Sequence, residues 1–207
     1  MVPSAAIRTV RVIGASLVTV AALTACESAS THDHGVPTNA SPQVQSAGFN
    51  VDDVAFAANM VPHHQQGVEL SAMVPPRSTN PELLVMAQHI SSDQQAEILT
   101  FHGLLAQWGQ PARGHSGHTG HDVGTVAMTM TGMVDPATIN QLQSLRGVAF
   151  DELWIRSMIG HHQGAIMMAQ TELERGKNAD ARHVADMIIT AQQREIAQMI
   201  NLLNLVE

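Results

Sequence analysis

Cysteine occurs once in this 207-residue chain, at Cys26, and lysine once, at Lys177. A lone thiol excludes an internal disulfide. Basic residues are scarce altogether: ten Lys and Arg stand against 18 Asp and Glu, for a formal net charge of −8. Such a chain has no electrostatic footprint for nucleic acid or for anionic lipid heads, whereas its sign suits cations. The apolar run from Val12 to Leu23 extends for about 12 residues, short of the ~20 that span a bilayer as a helix. Alternating β-branched runs are absent from both halves of residues 50–207, which argues against a sheet. No nucleophile–base–orienter pattern and no serine on a strand-to-helix turn is evident, so an enzymatic role is not expected.

What is there begins with a targeting segment. Arg8 and Arg11 precede the apolar run, and residues 1–25 read as a signal peptide. It ends in Leu23-Thr24-Ala25-Cys26, which resembles the bacterial lipobox, in which cleavage leaves the cysteine to carry a lipid. Removal of the two arginines takes the net charge from −8 to −10. Residues 26–49, small, polar and proline-containing, read as a flexible tether behind the lipid on Cys26. The expected location is therefore the cell membrane, facing the extracytoplasmic side.

The remainder is a duplication. Met60-Val-Pro-His63-His64-Gln65 returns 98 residues later as Met158-Ile-Gly-His161-His162-Gln163. Residues 52–109 overlay 150–207 without a gap, and fifteen of the 58 positions are identical, against about 3 or 4 expected by composition. The shared residues include Asp53/Asp151, Gln94-Gln95/Gln192-Gln193 and Glu97/Glu195, side chains that bind rather than merely fill. Each repeat reads as a helical hairpin. Asn50 or Asp52 caps a helix to about Met73, Pro75-Pro76 stops it, and Asn80-Pro81 opens a second to about Trp108. Asp135-Pro136 opens one long helix to Arg175, Gly176 ends it, and Asn178 starts the last. The expected fold is all-α, an antiparallel four-helix bundle made of two repeated hairpins. A linker, residues 110–134, joins them and carries His115, His118, His121, Met128, Met130 and Met133.

Helix geometry then sorts the motif. With ~100° between successive residues, Met158 and His162 fall within about 20° of the direction of Asp151, while His161 lies near −80°. Asp53, Met60 and His64 align in the same way. His64 and His162 are thus expected to face inward, with His63 and His161 flanking them. Glu97 and Glu195 lie on the apolar stripes of the second helices, where a carboxylate is costly unless it is paired, hydrogen-bonded or bound to metal. Asp53, Met60, His63, His64 and Glu97, with Asp151, Met158, His161, His162 and Glu195, form two candidate metal half-sites. The linker supplies three imidazoles and three thioethers; imidazole suits copper, zinc and nickel, and thioether suits Cu(I). A different reading makes each His–Glu couple a buried hydrogen-bonded pair with no ligand.

Phe150-Asp151, then Met158-Ile159-x-His161-His162-x-Gly164-Ala165-Ile166-x-Met168-Ala169, preceded by Thr131-Gly132-Met133, resembles the signature of the bacterial family known as domain of unknown function 305. The resemblance covers about residues 50–207 and implies a ferritin-like four-helix fold; some members are associated with copper binding and copper resistance outside the cytoplasm. The first repeat departs from the pattern at Pro62, at Glu69-Leu70 and at Pro75-Pro76. The function expected is an exported lipoprotein that binds copper, or another transition metal, for metal handling or resistance. A non-enzymatic interaction module with a buried polar network is the alternative. A ferritin-type di-metal oxidase ranks lower, since its Glu-x-x-His motif does not occur on these helices.

Overall fold

The computed structural model describes residues 48–110 and 130–206. The proposed signal peptide, Cys26, nearly all of the tether, and the linker residues His115, His118, His121 and Met128 lie outside the described residues. Five helices are formed: α1 (Val51–Ala72), α2 (Pro81–Gln107), α3 (Pro136–Ser144), α4 (Val148–Arg175) and α5 (Ala179–Val206). No strand occurs among the described residues. The four long helices form two hairpins, α1 with α2 and α4 with α5. The hairpins meet chiefly through α1 against α4, while α2 and α5 barely touch.

Local signals set the helix ends. Asn50 closes a capping box on α1: its side chain accepts from the amides of Asp52 and Asp53, and the Asp53 carboxylate accepts from the Asn50 amide. Asn80 caps α2 ahead of Pro81, and Asn178 accepts from the amides of Asp180 and Ala181 at 3.1 and 3.0 Å to start α5. α1 continues through Pro62, although proline cannot donate to the carbonyl four residues back.

One element differs from the sequence expectation. The single helix foreseen from Pro136 to Arg175 is two, broken at Leu145-Arg146-Gly147. Leu145 turns extended, Gly147 adopts φ +63°, and the Gly147 amide donates to the Arg77 carbonyl at 2.8 Å. The break is stabilised by the turn between α1 and α2, a partner distant in sequence that helical periodicity does not register.

The apolar core divides in two. One cluster holds Phe56, Met60 and Val61 of α1, Phe101 and Leu105 of α2, Ala165 and Ala169 of α4, and Ala185 and Ile188 of α5. The other holds Leu70, Leu83, Ile90, Phe150, Trp154, Met158, Met199 and Leu203. On every long helix the two sets are separated by the same stretch of sequence, and that stretch is polar.

Candidate metal centre

The separating layer consists of His63 and His64 on α1, Gln94 and Glu97 on α2, His161 and His162 on α4, and Gln192 and Glu195 on α5. All four histidines are fully buried. The expectation that only His64 and His162 face the interior is thereby corrected. α1 and α4 are covered on two flanks, one by the partner helix of the hairpin and the other by each other, so the −80° position is as enclosed as the +20° position. His63 and His161 stack across the α1–α4 contact with ring centroids 3.9 Å apart and planes 30° from parallel.

Hydrogen bonds fix the ring orientations. His64 Nε2 lies 2.7 Å from Glu97 Oε2, and His162 Nε2 lies 2.7 Å from Glu195 Oε2. Ionised carboxylates only accept, so Nε2 carries the hydrogen and, in the neutral ring, Nδ1 is left with its lone pair. His161 Nε2 likewise donates to the His63 carbonyl at 2.9 Å. The Nδ1 atoms of His64, His161 and His162, and both ring nitrogens of His63, are buried without a hydrogen-bond partner among the described residues. Buried polar atoms are satisfied in the large majority of cases. A cluster of unsatisfied imidazole nitrogens, oriented by carboxylates on the opposite ring nitrogen, is the arrangement that metal-binding histidines use.

The protonation states agree. Burial, and then the charges that His64 and His162 can carry, pull His63 down to about 3; the nearby Thr131 backbone opposes this slightly without reaching hydrogen-bond geometry. His161 is held well below the usual histidine range by burial, then by His63, His162 and His64. Both rings are neutral at pH 7, as metal ligands must be.

Glu97 and Glu195 keep side-chain exposures of 22% and 17%, so each links a fully buried histidine to solvent, Glu195 doing so at the surface between α2 and α5. There a cleft of about 260 Å³ is lined by Met86, His89, Asp93, Arg194, Glu195 and Gln198. Burial, then Glu195 and Glu97, raises the Asp93 carboxyl above its ordinary value. The negative character of this side favours approach of a cation.

The other expected ligands are distributed unevenly. Met60 and Met158 are fully buried, one turn from His64 and His162 on the same helix stripe. Met130 and Met133 belong to a strap laid across the layer. The Val134 amide donates to Gln66 Oε1 at 2.7 Å and Gln66 Nε2 donates to the Val134 carbonyl at 2.9 Å. Gly132, at φ +86°, packs on Gly164, where neither residue has room for a Cβ. Asp53 and Asp151 are not brought to the histidines; each stands about 16 Å along its helix from the second histidine of its repeat. Asp53 accepts from the amides of Lys177 and Asn178, both at 2.9 Å, at the start of α5. Asp151 faces Ser78 before α2, and its carboxyl is raised by burial more than the Ser78 hydroxyl lowers it. These two aspartates fasten opposite ends of the bundle.

Among the described residues, no three His, Cys, Asp or Glu side chains converge to hold an ion by themselves. Further ligands for an ion at this layer would therefore have to be of another type, and the adjoining polar or soft groups are the Met60 and Met158 thioethers and the Gln94 and Gln192 amides. The two glutamines were absent from the ligand set drawn from sequence. Their identity in both repeats was the signal that could have included them.

Residues 53–203 match the family described as Domain of unknown function (DUF305), and the chain belongs to it. A family member from Streptomyces coelicolor, described as a candidate secreted protein, is 28% identical with a TM-score of 0.66, over 75% of this chain and 92% of its own. A family fragment from Deinococcus radiodurans is 27% identical with a TM-score of 0.65, over 75% of this chain and 97% of its own. CopM is 29% identical, over 73% of this chain and 95% of its own, with TM-scores of 0.59 in its Cu(I)-bound form and 0.61 in its Cu(II)-bound form. No match was found among curated proteins.

Proposed function

We propose, from this family membership and the histidine layer together, that the chain is an exported, membrane-anchored protein that binds copper outside the cytoplasm for metal handling or resistance. One observation carries the reading: four fully buried histidines hold ring nitrogens that nothing among the described residues satisfies. His64 and His162 would bind through Nδ1, with Glu97 and Glu195 as orienting groups on the far ring nitrogen rather than as ligands. Met60 and Met158 would add the soft sulfur that favours Cu(I). CopM, of similar fold and sequence, is known with Cu(I), Cu(II) and silver bound. His115, His118, His121, Met128, Met130 and Met133 would serve as a capture segment, since the strap of Met130 and Met133 already rests on the layer. Export rests on the signal-like residues 1–25 and agrees with the description of the Streptomyces relative as secreted, and anchoring rests on Cys26 alone. None of the helices among the described residues is long and apolar enough to cross a membrane.

The test is direct. Untagged protein exposed to copper binds a defined number of ions, and changing His64 and His162 together to Ala lowers that number. Unchanged stoichiometry removes the bundle site. The competing reading, a buried polar network that only specifies helix packing, draws on the lack of three convergent His, Cys, Asp or Glu ligands among the described residues. It requires equal melting temperatures with and without copper, because an ion that binds only the folded state must stabilise it.

A further inference from the structure

The two glutamines of the layer are harder to account for than its histidines. Gln94 and Gln192 are 2% and 3% exposed, and they occupy equivalent places 98 residues apart. Gln94 Oε1 and Nε2 and Gln192 Oε1 have no hydrogen-bond partner among the described residues. Leaving a buried amide unsatisfied costs about 1–3 kcal/mol per group, whereas an apolar side chain of the same shape costs nothing of this kind. A bundle shaped for stability alone would carry leucine here.

The surroundings fix where the first amide sits. Gly67 on α1 is where a Cβ would overlap Gln94 Oε1, so the glycine admits the amide against the α1 backbone. Gly67 follows His64 by three residues, and Gln94 precedes Glu97 by three. The Gln94–Gly67 contact is therefore the layer next to the Glu97–His64 pair, about 4.5 Å along the axis. Met60 lies about one turn away on the other side of His64. Along α1, His64 thus has Met60 about one turn before it and the Gln94 amide, seated at Gly67, about one turn after it.

We infer that Gln94 and Gln192 are oxygen donors to an ion held at the histidine layer, and that they determine its acceptance of Cu(II). This rests on the copper-binding reading above and adds the division of labour within it. Tetragonal nitrogen and oxygen ligation suits Cu(II), whereas thioether selects soft Cu(I)-like ions. With the amides the site serves both; without them only the soft ions are held well.

Full-length wild-type protein and the double variant Gln94→Leu, Gln192→Leu are titrated separately with Cu(II) and with Ag(I), the latter as an air-stable soft probe. The expected result is a fall in Cu(II) affinity of about tenfold or more, an altered Cu(II) electron paramagnetic resonance spectrum, and Ag(I) affinity within roughly twofold of wild type. The metal-free variant melts no lower than wild type, since it has lost the unsatisfied Gln94 amide and the unsatisfied Gln192 oxygen. Gln94→Glu with Gln192→Glu keeps an oxygen in place and retains Cu(II) binding, which keeps the test decisive where the leucine variant folds poorly. Equal losses for both ions, no loss for either, or failure of the glutamate variant to retain Cu(II) overturns the inference while leaving copper binding itself intact. Wild-type protein that binds neither ion overturns both.

Discussion

Gly160 and Gly164 lie one turn apart on α4 and should respond to alanine in opposite directions. A Cβ on Gly160 meets nothing within 4 Å, so Gly160→Ala gains helix propensity, about 0.8–1.0 kcal/mol, without a clash. That corresponds to a rise of about 2–4 °C in melting temperature for a domain of this size. A Cβ on Gly164 overlaps the Thr131 carbonyl oxygen and comes within 2.6 Å of Gly132 Cα, where ordinary contact begins at 3.4 Å. Both obstacles are backbone, so the strap must retreat by the better part of an ångström. Retreat breaks the two-hydrogen-bond clamp between Gln66 and Val134, worth about 1 kcal/mol per bond. It also opens the cover over His63 and carries away Met130 and Met133. Gly164→Ala is expected to lose on the order of 1–3 kcal/mol net, after the same propensity gain, and to bind copper more weakly than Gly160→Ala. Thermal melts followed by far-ultraviolet circular dichroism, with copper titration of each variant, measure both effects. Equal melting temperatures for the two variants would refute the strap's role in closing the layer.

Acid is a second probe. His63 is held at about 3 in the folded protein by burial against an ordinary value of 6.5, and His161 is depressed in the same direction. Between pH 6.5 and about 3 the unfolded chain takes up protons that the folded chain refuses. Stability is therefore complete above 6.5 and falls with acidification by about 1.4 kcal/mol per pH unit for His63, with His161 adding a loss of the same sign, measurable by denaturant melts over that range. Glu172, fully buried, is raised to about 8 by burial and then by the adjoining Asp53, so the stability tied to its neutral form is complete below 4.5 and lost as the pH rises toward 8. Glu172→Gln raises the melting temperature at pH 8 and leaves it unchanged at pH 4.5; an equal effect at both values would refute the assignment. Asp53→Ala strips three backbone amides of their acceptor and costs on the order of 2–4 kcal/mol in urea melts, while the copper stoichiometry stays that of wild type. A lost ion would return Asp53 to the ligand set.

The sequence by itself determined the all-helical class, the two hairpins and the caps at Asn80 and Asn178, and it narrowed the first cap to Asn50 or Asp52, because capping and 3.6-residue periodicity are local properties. It also picked out the histidines and the glutamates, because identity across a duplication singles out side chains under a common demand. Only the tertiary structure decided that His63 and His161 are as buried as their neighbours, since their cover comes from α1 meeting α4. Only it placed Glu97 and Glu195 behind the rings and Asp53 and Asp151 at the ends of the bundle, split the long helix at Gly147 against Arg77, and laid Thr131-Gly132 on Gly164. Each of these depends on a partner 32 or more residues away, and the period of a single helix fixes a direction, not which helix will be there to meet it.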